Sequence, residues 1–167
     1  LRDMRLQALK LMRLLRVFKP RLIGSVMTGH VRKGSDIDLH VFTDSVDLVT
    51  GLLEREGFQF EVERKQVVKH DEERIFTHIH VYDRWTFELT VYAENKAHYI
   101  FKSSITGKAI ERASVGELEE LLAREYPNLR LEEELNDAAG DLDPYLIYRM
   151  LLQPLEVVAP RPALPGV

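Results

Sequence analysis

Hydrophobic and polar positions follow two periods along this chain, one near 3.6 residues and one of 2, and their alternation predicts the elements in order. Up to about residue 18, Met4, Ala8, Leu11 and Leu15 recur at helical spacing. They form an apolar stripe for a core, with Arg2, Arg5, Arg13 and Arg16 on the opposite, solvated face. Pro20 ends that helix, and Leu22-Ile23 begins a short apolar strand. Residues 37–42 predict a second strand, with Ile37, Leu39 and Val41 on one face and Asp38 and His40 on the other. Val46, Val49, Leu52 and Leu53 return to helical spacing, behind Asp44 or Ser45 as cap and before Gly57 as terminator. Residues 58–63 alternate strictly and predict a strand, with the polar run 67–73 as its exit turn.

Residues 75–82 and 85–92 predict two antiparallel strands joined by a tight turn around Asp83-Arg84. Their pattern also dictates a register. Ile79 and Val81 must share the buried face with Phe87, Leu89 and Val91, which puts His78, His80 and Tyr82 with Glu88, Thr90 and Tyr92. Opposed residues share a face, so the loop must hold an odd number of residues or a bulge must shift the pairing. A strict two-residue turn would set Ile79 against Glu88.

Further on, Ser114 and Glu117 have the spacing of a capping box for a helix carrying Val115, Leu118, Leu121 and Leu122. Pro127 follows it. A short acidic helix is expected over 131–139, ending at Gly140, and Asp143-Pro144 opens a last helix through Leu152. That helix is apolar on most sides, so it is either buried or docks on a protein partner. From Pro154 the tail is proline-rich and expected to be extended. The expected organisation is therefore a core over 1–113, a helical extension over 114–153 and a tail over 154–167.

The chemistry-bearing residues concentrate in residues 24–42. Asp36, Asp38 and His40 fall two apart, hence on one strand face. Two ionised carboxylates so placed repel unless a cation lies between them. Magnesium, a hard ion that takes oxygen ligands and substrate phosphates, suits them. The plainer alternative is the solvated face of an edge strand. Upstream, Gly24-Ser25 closes the first strand, where glycine permits close backbone approach and the N–H groups of a following helix can hold a phosphate.

Gly24-Ser25, ten residues, then Asp36-Ile37-Asp38 with apolar flanks resembles the signature of the DNA polymerase beta-type nucleotidyltransferase superfamily, especially its small stand-alone members. Gly29, Arg32 and Ser35 fall where those members often carry Gly, Arg and Ser. The resemblance implies an α/β fold: a mixed, mainly antiparallel sheet with helices on one face and the carboxylates on the other, plus a C-terminal helical extension. It implies transfer of a nucleoside monophosphate from an NTP, ATP by default, to an acceptor hydroxyl with release of pyrophosphate. Gly24 and Ser25 would hold the β- and γ-phosphates, with Ser35 beside the nucleotide, and Asp36 and Asp38 would bind two magnesium ions. The family also needs a third carboxylate on a later strand. Glu88 is the candidate, completing a metal site and helping to deprotonate the acceptor, although the family usually shows Asp there.

Three other features bear on function. Lys108, in the loop-like run 103–108, suits a triphosphate or leaving pyrophosphate, or is an ordinary surface lysine; Thr106-Gly107-Lys108 lacks the spacing of a P-loop. His40, His70, His78 and His80 suggest a histidine metal site, and with it a zinc hydrolase, or else polar positions on an open sheet face. A non-catalytic nucleotide- or partner-binding module, antitoxin-like, is the alternative on the same scaffold.

Composition narrows the setting. The 167 residues suffice for one core, and the absence of cysteine excludes disulfides and thiolate metal sites. No apolar run approaches the length of a membrane span and no signal-peptide pattern is present, so a cytoplasmic protein is the simplest account. The chain starts at Leu1 rather than Met, which suits a fragment whose upstream region holds the substrate specificity. The net charge is −4 but unevenly spread. Residues 1–21 carry seven Arg or Lys against one Asp, and residues 111–143 carry eleven Asp or Glu against three Arg. Mutual attraction of the two segments is the favoured reading over a nucleic-acid-binding end.

Overall fold

The computed structural model of the chain describes residues 1–137. Its first helix, α1 (Arg2–Leu14), is followed by a 3₁₀ turn over Arg16–Phe18. β1 (Arg21–Ile23) runs directly into the short α2 (Gly24–Thr28), and β2 (Ile37–Phe42) and α3 (Val46–Arg55) come next. Three long strands follow, β3 (Gln59–Lys69), β4 (Glu72–Tyr82) and β5 (Thr86–Tyr92), and then α4 (Val115–Glu125) and α5 (Leu131–Asp137). The sheet order is β1-β2-β5-β4-β3, with β2 and β5 parallel and the other pairs antiparallel. This is the expected mixed, mainly antiparallel α/β architecture.

The odd-loop register is met. Tyr82 pairs with Thr86, leaving Asp83, Arg84 and Trp85 as the loop, and Ile79 pairs with Leu89 and Val81 with Phe87. These residues join Leu22, Ile37, Leu39 and Val41 in a buried cluster that also takes the apolar faces of α1, α3 and α4. The capping box forms as the spacing demands: Ser114 Oγ accepts from the Glu117 N–H, and Glu117 Oε1 accepts from the Ser114 N–H. At α3, Ser45 occupies the cap position without a capping bond from its side chain, while Asp44 instead accepts from the Glu94 N–H.

Two expectations change. The run 67–73 is not an exit turn: β3 continues to Lys69, β4 starts at Glu72, and only His70 and Asp71 turn, both at positive φ (53° and 61°). A two-residue turn with both residues left-handed matches the twist of a hairpin, so polar residues are carried by a ribbon that runs past the end of β5 and is wetted on both faces. The arginine face of α1 is not uniformly solvated either. Arg5 is only 4% exposed. Its Nε donates to Val26 O and its Nη2 to Met27 O, both at 2.9 Å, while Nη1 meets Glu125 at 2.8 Å. A planar fork of donors can be buried when the acceptors surround it.

Attraction between the basic and acidic segments is realised as contacts. Arg2 pairs with Glu134 at 3.0 Å, and Arg13 with Glu119 at 3.0 Å and Glu132 at 2.8 Å. The Arg13 bond holds the Glu132 carboxyl below its ordinary pKa. α1 is thus covered by α4 and α5, which explains why Leu6, Leu9, Met12 and Leu14 are buried beyond the predicted stripe. Among the described residues no helix is long and apolar enough to cross a membrane. The apolar helix expected over 143–152 and the tail from 154 lie outside the described residues, as does the expected end of the acidic helix beyond Asp137.

Candidate active site

The site is built where β1 ends. Gly24, at φ +70°, turns the chain from β1 into α2 against the side chain of Asp38. A Cβ at this position would lie 2.5 Å from Asp38 Oδ2 and 3.3 Å from its Cγ. The position therefore requires glycine twice over, for backbone conformation and for space. Ile23 pairs with Asp38, Asp38 with Glu88 on the parallel neighbour, and Glu88 with His80 on β4. Side chains in register share a face, so a single row across the sheet carries Asp38, Glu88, His80 and then Glu61. One step along the strands lies a second row, Arg21, His40, Thr90, His78 and Glu63. Ile37 and Leu39 point to the opposite, core face, fully buried. Asp38 and Glu88 share the open face by register, while Asp36 lies one residue before β2, near enough for its charge to act on Asp38.

The electrostatics follow from this crowding. Burial raises the Asp38 carboxyl to a pKa of about 6, helped by the negative charges of Glu88 and Asp36. Glu88 Oε1 lies 3.2 Å from His78 Nδ1, which also lies 3.3 Å from Thr90 Oγ1. His80 Nε2 lies 3.0 Å from Glu63 Oε2. His40 is driven the other way, down to about 4, by burial first and then by the positive Arg112 and by His78. Its ring packs edge-on against Tyr92 and Phe101, at 4.8 and 4.9 Å between centroids, and its Nδ1 has no hydrogen-bond partner among the described residues.

The histidines do not form the suggested metal centre. His70 occupies the β3–β4 turn, about 30 Å along the strand from His80 at a rise near 3.3 Å per residue. Among the described residues no three His, Asp or Glu side chains are gathered tightly enough to hold a metal. The same holds of the carboxylates, among which Glu88 leans on His78. The donor set nonetheless fits a hard divalent cation. It offers carboxylate oxygens on one face, and such an ion would offset both the burial that chiefly raises Asp38 and the negative charges of Glu88 and Asp36 that add to it.

The remaining predicted residues divide. Ser25 sits half-buried on α2 directly after Gly24, and its carbonyl accepts from the Gly29 N–H. Ser35 shapes the turn that delivers Asp36, its Oγ accepting from the Arg32 N–H at 2.9 Å. Lys108 is exposed on a small loop whose Ser103 Oγ accepts from the Ile105 and Thr106 N–H groups, and no described contact ties it to Asp38. Two residues that local patterns do not single out reach the open face. Phe101 and Arg112 arrive because the segment after β5 crosses the sheet to bridge Ala113 to Leu22. A long-range bridge of that kind leaves no periodic signal.

A family model described as a nucleotidyltransferase domain matches residues 6–92, from α1 through β5. Comparison with curated proteins gives no match.

Proposed function

Because the chain belongs to the nucleotidyltransferase domain family, we propose that it transfers a nucleoside monophosphate from an NTP, ATP by default, to an acceptor hydroxyl with magnesium as cofactor. The observation that carries this reading is the junction of Gly24 and Asp38, a phosphate-compatible turn pressed against a carboxylate whose register partner on the adjacent parallel strand is Glu88. Gly24 and the Ser25 N–H and hydroxyl hold the outer phosphates at the turn. Asp36 and Asp38 would hold magnesium, Glu88 would complete the site by turning from His78, and Ser35 shapes the turn that precedes Asp36. When bound, magnesium supplies charge neutralisation for the phosphates and alignment of the attacking and leaving oxygens. The acceptor oxygen attacks the α-phosphorus, a new P–O bond forms, the bond to the bridging oxygen breaks, and pyrophosphate leaves. Glu88 takes the acceptor's proton. Lys108, exposed on its loop, would be the cation for the triphosphate or the leaving pyrophosphate. A cytoplasmic setting, with its NTP and magnesium, belongs to the same reading.

The test is thermal stabilisation by each of the four NTPs with magnesium, beside Asp36→Asn, followed by transfer of label from the NTP that stabilises. A magnesium-dependent shift for one NTP, lost in the variant, is expected. Asp38→Asn removes a ligand charge without changing shape, so it should abolish transfer and leave the fold intact. Wild-type turnover in that variant would remove Asp38 from the mechanism. No shift with any NTP would favour the non-catalytic partner-binding module.

A further inference from the structure

The open sheet face does not end at the carboxylates. Two steps beyond the Asp38–Glu88 row, the strands reach Phe42 and Tyr92, and β4 continues past them. Here the segment after β5 folds back and leaves a groove of about 710 Å³, within the range of small-molecule sites. Its walls are aromatic: Phe76, Tyr92, Tyr99 and Phe101 line it. Tyr92 packs on Phe101 at 4.7 Å and on Phe76 at 6.3 Å between centroids. Lys96 and Lys102 supply its charge, with Arg74, which pairs with Glu72 at 3.6 Å, at its rim, and no carboxylate is among its lining residues. Lys96 Nζ stands 3.9 Å over the Tyr99 ring, so its cation is directed at the groove wall.

One face thus carries opposite charge at its two ends, carboxylates at the β1 end and cations around aromatic walls at the other. Phe101 connects the two, since it packs on His40, a single strand step, about 7 Å, from Asp38. We propose that this groove is the acceptor site: it binds a flat aromatic or alicyclic anion whose hydroxyl lies at the end opposite its negative charge. The cations hold the anionic end, the carboxylates repel it, and the hydroxyl is thereby turned toward Glu88 and the α-phosphorus. The resulting step is the one stated above, with an acceptor O–P bond formed, pyrophosphate released and the hydroxyl proton taken by Glu88. This inference rests on the proposed nucleotidyl transfer for the acceptor's fate, but the groove's preference for an aromatic anion is independent of it.

The probe is 6-hydroxynaphthalene-2-sulfonate, whose hydroxyl and sulfonate sit at opposite ends of a flat ring pair, with neutral 2-naphthol as its counterpart. Binding to the full chain is followed by fluorescence anisotropy, without nucleotide or metal. The sulfonate should bind roughly ten-fold tighter than 2-naphthol, and reversing both charges with Lys96→Glu and Lys102→Glu should remove that advantage. Phe101→Leu should weaken both ligands. Equal affinity for the two ligands, or sulfonate binding unchanged in the charge-reversed protein, would overturn the assignment, as would failure of the probe to bind. The probe is then offered as acceptor with magnesium and the NTP that stabilises the protein. Binding with NTP turnover absent for every acceptor would leave the groove as an anion site and overturn the transfer reading instead.

Discussion

Gly24→Ala separates two costs that the structure keeps distinct, and Gly57→Ala is its control. Both glycines have positive φ, +70° and +78°, but a Cβ at Gly57 meets nothing within 4 Å whereas one at Gly24 meets Asp38 Oδ2 at 2.5 Å. The backbone penalty common to both is about 1–2 kcal/mol. At Gly24 the carboxylate must also withdraw by nearly 1 Å to reach ordinary contact distance, because α2 and β2 are held together on either side of it. A displacement of that size at a reacting centre costs about 100-fold in rate. Urea denaturation of the two variants should therefore show losses of about 1–2 kcal/mol in each, with a larger loss for Gly24→Ala only if Asp38 cannot swing aside. Transfer of label from the NTP should fall about 100-fold for Gly24→Ala and stay at the wild-type rate for Gly57→Ala. Equal transfer rates in the two variants would show that the Gly24–Asp38 contact does not set the carboxylate's position, and the site as described would be wrong.

The pH dependence of stability gives two further expectations of opposite sign. Asp38 has a folded pKa of about 6 against an ordinary value near 4, so its contribution is fully present below that ordinary value and is lost as pH rises through 6. Asp38→Asn should then raise stability at pH 7 by on the order of 1–2 kcal/mol, after allowance for solvent screening, with the gain gone near pH 3.5 in urea titrations. His40 has a folded value of about 4 against 6.5, so the stability it permits is present above 6.5 and is lost as pH falls through 4. His40→Phe should flatten that acid limb in thermal melts, and an unchanged limb would contradict burial of a neutral imidazole. Arg5→Met should cost about 3–5 kcal/mol of unfolding free energy in denaturant titrations, because it orphans the Val26 and Met27 carbonyls and leaves Glu125 without its partner; a loss below about 1 kcal/mol would mean that water replaces the guanidinium.

Local patterns carried a large part of this molecule. Alternation in two strands was enough to require an odd loop, and Asp83-Arg84-Trp85 is that loop, because pleat and burial leave no other register for Ile79 and Leu89. The spacing of Gly24 and Asp38 anticipates their close approach, since the antiparallel pairing of two strands near in sequence sets Ile23 opposite Asp38. The helix boundary at Ser114 was legible because a capping box is complete within four residues. Charge segregation also foretold a contact, because many like charges on each side attract whatever their exact pairing.

The tertiary structure decided what depends on residues far apart in sequence. Arg5 looked like its neighbours on a charged helix face, and only the arrival of the α2 carbonyls and Glu125 buries it. The run 67–73 is polar because the β3–β4 ribbon outruns β5, and no feature of its own sequence reports where a neighbouring strand stops. Alternation puts Glu88 on the face that also carries Asp38, but its partner His78 reaches it from the neighbouring strand, a contact that depends on sheet order. The aromatic groove is assembled from β4, β5 and a loop that returns across the sheet, so its rings share no period along the chain. Short-range order in this protein is written in spacing and composition; charge burial, side-chain pairing and cavities arise from the topology that brings those spacings together.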